Sequence, residues 1–259
     1  MRLIDTHCHL ADARLRRDAA GVMARARQAG VAGVICAAGD VHEAKLALTM
    51  SRQEVDVYFT AGVHPHEAKN VAGDYLAQIE GLAADGKCVA IGEVGLDYHY
   101  KYSPPEAQRR VFAEQLALAR RLGKGVVIHT REAMADTLAI LAEAGADGRR
   151  VVFHSFTGSA KEARRVLDLG AAVSFSGIVT FKNAGELREA AAIVPDDRLL
   201  IETDAPYLSP EPVRNMKTNE PANVAHVAAC LAALRGRDAE SIAELTTANA
   251  ARFFGIERP

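Results

Sequence analysis

At 259 residues the chain suits one (β/α)8 barrel of about 250 residues or two smaller domains, and 49% hydrophobic with 25% charged residues is ordinary for a globular enzyme with a sizeable core. A formal net charge of −2 excludes a broad basic surface that would hold duplex nucleic acid by charge alone, and with no Trp and 5% aromatic residues the composition argues against an aromatic stacking platform for single strands. Cys8, Cys36, Cys88 and Cys230 are dispersed without a C-x-x-C pair, and neither a signal-like stretch nor an apolar run near the ~20 residues of a membrane span occurs, so the expectation is a soluble cytoplasmic protein with free thiols and no membrane association.

Short β-rich runs alternate with longer Ala-rich helical runs along the whole chain. The first predicted strand, Arg2–Thr6, leads into His7 and His9, and the second is Gly33–Ala37. The third, Val57–Ala61, precedes His64, and the fourth, Cys88–Ile91, precedes Glu93. Ser103-Pro104-Pro105-Glu106 then reads as a capping box with proline where a helix start tolerates it. In the helix it opens, Phe112, Leu116 and Ala119 recur at helical spacing and should face a sheet. The fifth and sixth strands, Gly125–Ile128 and Arg150–Phe153, run into His129 and His154. Ser159 and Glu162 form a second capping box, and Gly170 stops that helix before the seventh strand, Ala172–Phe175. The eighth, Leu199–Ile201, precedes Asp204. With no long linker or low-complexity segment, residues 1–259 read as a single domain.

Strands alternating with helices predict a parallel sheet with crossover helices, a pattern that an open doubly wound sheet shares. What separates the two is the common address of seven polar residues at strand ends. In a closed barrel those ends converge on one face, whereas in an open sheet they spread along an edge. The fold class is therefore α/β, a single TIM-like (β/α)8 barrel.

His-x-His on a strand puts both imidazoles on one face and turns Cys8 toward the helices as a small buried hydrophobe. The pair is weak on its own and strong in company with Glu93, His129, His154 and Asp204. Several unpaired polar groups at a barrel mouth would cost stability, and coordination to a metal removes that cost. Six ligands exceed what one tetrahedral site needs. Two divalent ions sharing a carboxylate use the set better, with Glu93, from the middle of the strand order, as the bridge. Mg, Mn and Zn all suit the ligand mix.

These residues sit in stretches that resemble the TatD family of the amidohydrolase superfamily. They include Ile4-Asp5-Thr6-His7-Cys8-His9, Gly62-Val63-His64-Pro65-His66, Ile91-Gly92-Glu93-Val94-Gly95-Leu96-Asp97-Tyr98 and Ser103-Pro104-Pro105. Val127-Ile128-His129-Thr130-Arg131-Glu132-Ala133, His154-Ser155-Phe156-Thr157-Gly158, Glu202-Thr203-Asp204-Ala205-Pro206-Tyr207-Leu208 and Asn249-Ala250-Ala251-Arg252-Phe253-Phe254 complete the series in order. The resemblance implies divalent metals and phosphoester hydrolysis, with 3′–5′ exonuclease activity on DNA in the family and aminoacyl-tRNA deacylation in some relatives. Carried over by position, it makes His7, His9 and Asp204 ligands of one metal, Glu93 the bridge, His129 and His154 ligands of the second, and His64 a contact for substrate phosphate. The sequence departs from the family pattern at Arg214-Asn215-Met216-Lys217-Thr218, before Asn219-Glu220-Pro221.

The remaining polar residues read more plainly. Asp5 and Glu202 share strand parity with His7 and Asp204 and should point inward one layer deeper as supporting partners. His66 and His99 read as exposed loop residues, His42 and His226 as surface residues of helices. Arg131 and Lys217 fit phosphate contacts or solvated charge equally well, and Asp97 fits a substrate contact or a loop cap. The expected function is metal-dependent phosphodiester hydrolysis at single-stranded or frayed DNA ends, with Asp204 as general base and no obligate protein partner. The rival readings are an acyl-ester or amide hydrolase acting on a carbonyl and a barrel that binds metal without catalysis, the complete ligand set counting against the latter.

Overall fold

Eight parallel strands follow one another around one sheet in sequence order: β1 Leu3–Cys8, β2 Val31–Cys36, β3 Val57–Ala61, β4 Cys88–Asp97, β5 Gly125–Arg131, β6 Val151–Phe153, β7 Ala172–Phe175 and β8 Leu199–Ile201. The computed structural model describes residues 1–257, so the last two residues of the expected 1–259 domain lie outside the described residues. The crossover helices are α1 Ala13–Arg16, α2 Ala19–Gln28, α3 Val41–Gln53, α4 Tyr75–Ala83, α5 Pro105–Leu122, α6 Met134–Glu143, α7 Ala160–Asp168 and α8 Gly185–Ile193. Two more, α9 Val224–Arg235 and α10 Ala239–Phe254, follow β8. This is the expected (β/α)8 barrel. None of the described helices is long and apolar enough to cross a membrane.

The barrel closes between β8 and β1 at their C-terminal ends. Asp204 N donates to His7 O at 2.9 Å and His9 N to Ala205 O at 2.6 Å. Below them the seam is held by side chains. Thr203 donates to the Asp5 carboxylate through N at 2.9 Å and Oγ1 at 2.5 Å, and Thr6 Oγ1 donates to Ile201 O at 2.9 Å.

Three strands run farther than predicted: β1 continues through His7 to Cys8, and β4 and β5 continue to Asp97 and Arg131. Beyond Ile91, β4 pairs with β5 from Val94–Ile128 to Asp97–Arg131, so Glu93 and His129 stand inside strands rather than past them. Glycines at 92 and 95 hid the continuation, because glycine weakens a strand pattern. Here it permits close approach: at Gly95, with φ +140°, a Cβ would lie 1.9 Å from His129 O.

The second capping box is present, with Ser159 and Glu162 bonding reciprocally, and Gly170 takes φ +90° beyond that helix. The first is not. Pro104 is the N-cap of α5, and Ser103 turns away to donate to His66 O at 2.7 Å and accept from Lys69 N at 3.1 Å. Phe112, Leu116 and Ala119 are buried as expected.

Inside the barrel, Ile4, Ile35, Val127, Val152, Ala172 and Leu200 form an apolar floor, closed from below by Ala250 and Phe254 of α10. Side chains alternate along a strand, so the next inward position lies two residues on. Those positions hold Thr6, His129, His154, Ser174 and Glu202, and Thr6 Oγ1 meets Ser174 Oγ at 3.2 Å across the interior.

Candidate metal centre

Strict alternation with Ile4 and Thr6 inward would turn His7 away from the interior. A register shift between Asp5 and Cys8 returns its ring to the mouth, and Cys8 joins the apolar layer beneath the helices. Asp5 accordingly does not serve as a deeper inward partner of the His7 ring. Its carboxylate accepts from His7 N at 3.3 Å and from Thr203, so it fixes backbone at the β1–β8 seam.

All six expected ligands, and His64, converge on the mouth. Glu93 is at the centre with its two oxygens facing different neighbours. Oε1 lies 2.8 Å from His154 Nε2, 3.0 Å from His129 Nδ1 and 3.3 Å from His64 Nε2. Oε2 lies 3.2 Å from His7 Nε2 and 3.6 Å from His9 Nε2. Asp204 Oδ1 completes the second group, 3.5 Å from His9 Nε2 and 3.8 Å from His7 Nε2. The His7 and His154 rings stack at 3.9 Å and 12°, joining the two groups.

Behind these residues stands a layer that orients them. Asp97 Oδ2 is 3.0 Å from both His129 Nε2 and His66 Nε2, while its Oδ1 accepts from His99 N and Tyr100 N. It therefore caps the loop after β4 and aims the His129 ring, so that Nδ1 faces Glu93. His66 is half-buried against it rather than an exposed loop residue, whereas His99 is exposed beside Glu132. Glu202 Oε1 accepts from Ser155 N at 2.7 Å and faces His154 Nδ1 at 3.3 Å, the supporting role expected of it.

Two buried glutamines of α5 went unnoticed in the sequence. Gln115 binds both backbone groups of Val63, accepting at 2.7 Å and donating at 3.0 Å, and so fixes the residue before His64. Gln108 does the same for Asp97, at 2.8 and 2.9 Å. Their signal was a polar pair seven residues apart, two helical turns, on the face that buries Phe112 and Leu116.

Electrostatics follow from this packing. Burial opposes ionisation of Glu93, but the surrounding imidazoles of His154, His64, His7 and His129 outweigh it and hold the carboxyl well below its usual range. Burial also opposes ionisation of Asp97, and bonds from His129 and His66 outweigh it in the same way. Burial pulls His64 down to about 4 and lowers His7, both toward the neutral form in which imidazole ligates a metal. In His9 burial is outweighed by Asp204 and Glu93, which lift it to about 9. Burial pushes Asp5 up to about 8 against its bonds from Thr203.

The donor set fits divalent ions. Ligand atoms about 2.1 Å from one ion lie roughly 3.0–3.4 Å apart in tetrahedral or octahedral arrangements, close to the 2.8–3.8 Å spacings around Glu93 and Asp204. His7 Nε2 is buried without a hydrogen-bond partner, as an unligated donor would be. His7, His9 and Asp204 form one group with mutually close ligand atoms, and His64, Glu93 and His129 form another. A third joins His7, His154 and Glu202. His64 thus lies as near Glu93 as the expected ligands do. Lys217, in the departing loop, is exposed, and Arg214 stacks over Phe181 at 4.1 Å.

A family model described as TatD related DNase matches residues 4–255. The chain is 41% identical to an uncharacterized metal-dependent hydrolase, YabD, of Bacillus subtilis, over 98% of this chain and 99% of that one. It is 38% identical to a protein of Erwinia tasmaniensis named 3′-5′ ssDNA/RNA exonuclease TatD, over 98% and 100% respectively. The crystal structure of YJJV, a TatD homologue from Escherichia coli, superposes with a TM-score of 0.93 at 31% identity, covering 99% of each chain.

Proposed function

The chain belongs to the TatD-related DNase family of metal-dependent hydrolases, and from that premise we propose that it is a 3′–5′ exonuclease acting on single-stranded or frayed DNA ends. The whole chain would act as one domain, since a single sheet draws on strands from Leu3 to Ile201. The observation that carries the reading is Glu93, whose two oxygens face separate groups of imidazoles at the barrel mouth. His7, His9 and Asp204 would hold one ion, His129 and His154 a second, and Glu93 would bridge them, with Mg, Mn or Zn as the metal. Divalent ions held there supply electrophilic activation of the phosphoryl group and of the attacking water. His64 contacts the scissile phosphate. Asp204 takes the proton released as water oxygen bonds to phosphorus, and the proton passes to the 3′ oxygen as the P–O3′ bond breaks. The dispersed free thiols support a cytoplasmic setting.

Protein reconstituted with each metal and offered end-labelled DNA and RNA oligonucleotides, aminoacyl-tRNA and small amides tests this reading. Expected are 5′-mononucleotides released from 3′ ends, loss of activity on chelation and its return with added metal. Inert phosphodiesters alongside cleaved aminoacyl esters would transfer the function to acyl hydrolysis.

A further inference from the structure

Among the described residues, the exposed aromatic rings of Phe and Tyr are Tyr100, Tyr102 and Tyr207, each about half exposed. All three stand on loops leaving the C-terminal ends of β4 and β8, around the Glu93 cluster, and none lies at the barrel floor. An exposed ring forgoes the stabilisation that burial would give it, so its concentration at one face needs a reason.

Tyr100 and Tyr102 are stacked, with centroids 5.4 Å apart and planes 9° from parallel. Lys101 between them adopts φ +53°, a left-handed conformation that a non-glycine residue holds only at a cost. The Arg131 guanidinium lies 4.8 Å from the Tyr100 centroid. The His66 ring meets Tyr102 edge-on at 4.7 Å, and His66 in turn shares Asp97 with His129. The stack is therefore continuous with the residues that surround Glu93. It is preformed, half open to solvent and flanked by a cation.

We propose that the Tyr100–Tyr102 stack is a platform for an unpaired nucleobase near the scissile phosphate, with Arg131 placed for a neighbouring phosphate. The proposal rests on the nuclease reading and adds to it how the end is recognised. A paired base is already stacked in its duplex and cannot lie on the tyrosines, so the platform selects single-stranded ends. Stacking accepts any base, which suits stepwise removal of successive nucleotides.

The test uses the metal-loaded protein and oligonucleotides carrying an abasic residue at each of the last three positions in turn. In the wild type, one of these positions should raise KM about tenfold relative to the intact oligonucleotide, with kcat little changed. Tyr100→Ala/Tyr102→Ala should raise KM for the intact oligonucleotide by about the same factor and lose the distinction between base and abasic site. Tyr102→Phe, which keeps the ring, should behave as wild type. If the double variant keeps the wild-type discrimination, or the wild type shows none, the platform is overturned while exonuclease activity stands. If the wild type shortens no oligonucleotide, the nuclease reading itself falls.

Discussion

The floor and the mouth of this barrel lie two residues apart along the same strands, and they are built on opposite terms. At the floor, Val127, Val152 and Leu200 pack against Ala250 and Phe254 with no polar group to satisfy. One inward position higher stand His129, His154 and Glu202, nearly or partly buried and dependent on one another for hydrogen bonds. The backbone divides in the same way. Among the described residues, every non-glycine residue with positive φ, namely Lys101, Glu132, Ser155, Asp204 and Leu208, lies in a loop leaving the mouth. Each such conformation costs about 1–2 kcal/mol. Burial at the floor offsets strain and desolvated charge at the mouth, and this division lets a stable fold hold an arrangement that would not be stable alone.

The largest effect should come from Glu93, because both groups of imidazoles face it. Glu93→Gln replaces one shared oxygen with an amide NH2 that cannot ligate. Turnover should fall about 10³-fold or more, roughly 4 kcal/mol of lost transition-state stabilisation at 1.36 kcal/mol per tenfold, and bound metal measured by elemental analysis should fall with it. Near-native turnover would break the division drawn here. Asp204→Asn should sharpen it, losing about 10²–10⁴-fold in kcat, the range of general base catalysis, while most of the metal stays bound.

Phe254→Ala addresses the floor. Opening a cavity beneath the inner cluster should lower stability by about 3 kcal/mol, read from denaturant unfolding. Activity per folded molecule should stay within about twofold, since surface-distant core changes leave independent sites additive. A large loss of kcat in the folded fraction would mean that the floor positions the mouth residues directly.

Asp97→Asn should have a smaller effect. Its Oδ2 faces two imidazole Nε2 atoms, and an amide can present an oxygen there only by turning its NH2 toward His99 N and Tyr100 N. Losing such a supporting partner costs about 10–100-fold in metal affinity or activity. Metal titration followed by turnover at saturating metal separates the two contributions, and an unchanged metal affinity with unchanged turnover would remove Asp97 from the site.

How much of this was legible in the sequence follows the same division. β3, β7 and β8 begin and end where their β-branched and aromatic runs predict, and the six proposed ligands converge because strand ends in a closed barrel share an address. The mouth was harder. Gly92 and Gly95 masked the extension of β4, and the shift after Asp5 broke the parity from which its direction was read. Asp97 left two readings open because its partners, His66 and His129, are brought to it only by the closed sheet. A low aromatic content likewise counted residues without locating them, and the exposed Tyr100 and Tyr102 are stacked together at the mouth.

The smallest predicted effect concerns charge, and it tests whether substrate meets the mouth alone. The floor opens into a cavity of about 940 Å³ whose lining sets Lys124, Arg149, Arg150, Arg198 and Arg252 among Asp147, Asp197 and Glu257, the rival grip for a polyanion. Arg131 stands at the end of β5, Arg14 just beyond β1 and Lys217 beyond β8, so the mouth has a few scattered cations of its own. A single-stranded end held only there neutralises two to four phosphates. At about −0.7 per phosphate, binding should fall with monovalent salt along a log–log slope of roughly −1 to −3. The divalent metal must be held fixed, so that its occupancy does not enter the slope. Arg131→Ala should make the slope shallower by about 0.7, whereas Arg149→Ala at the floor should leave it unchanged. A slope well beyond −3, relieved by the floor substitution and indifferent to the one at the mouth, would show that nucleic acid wraps the barrel and that the two ends act together.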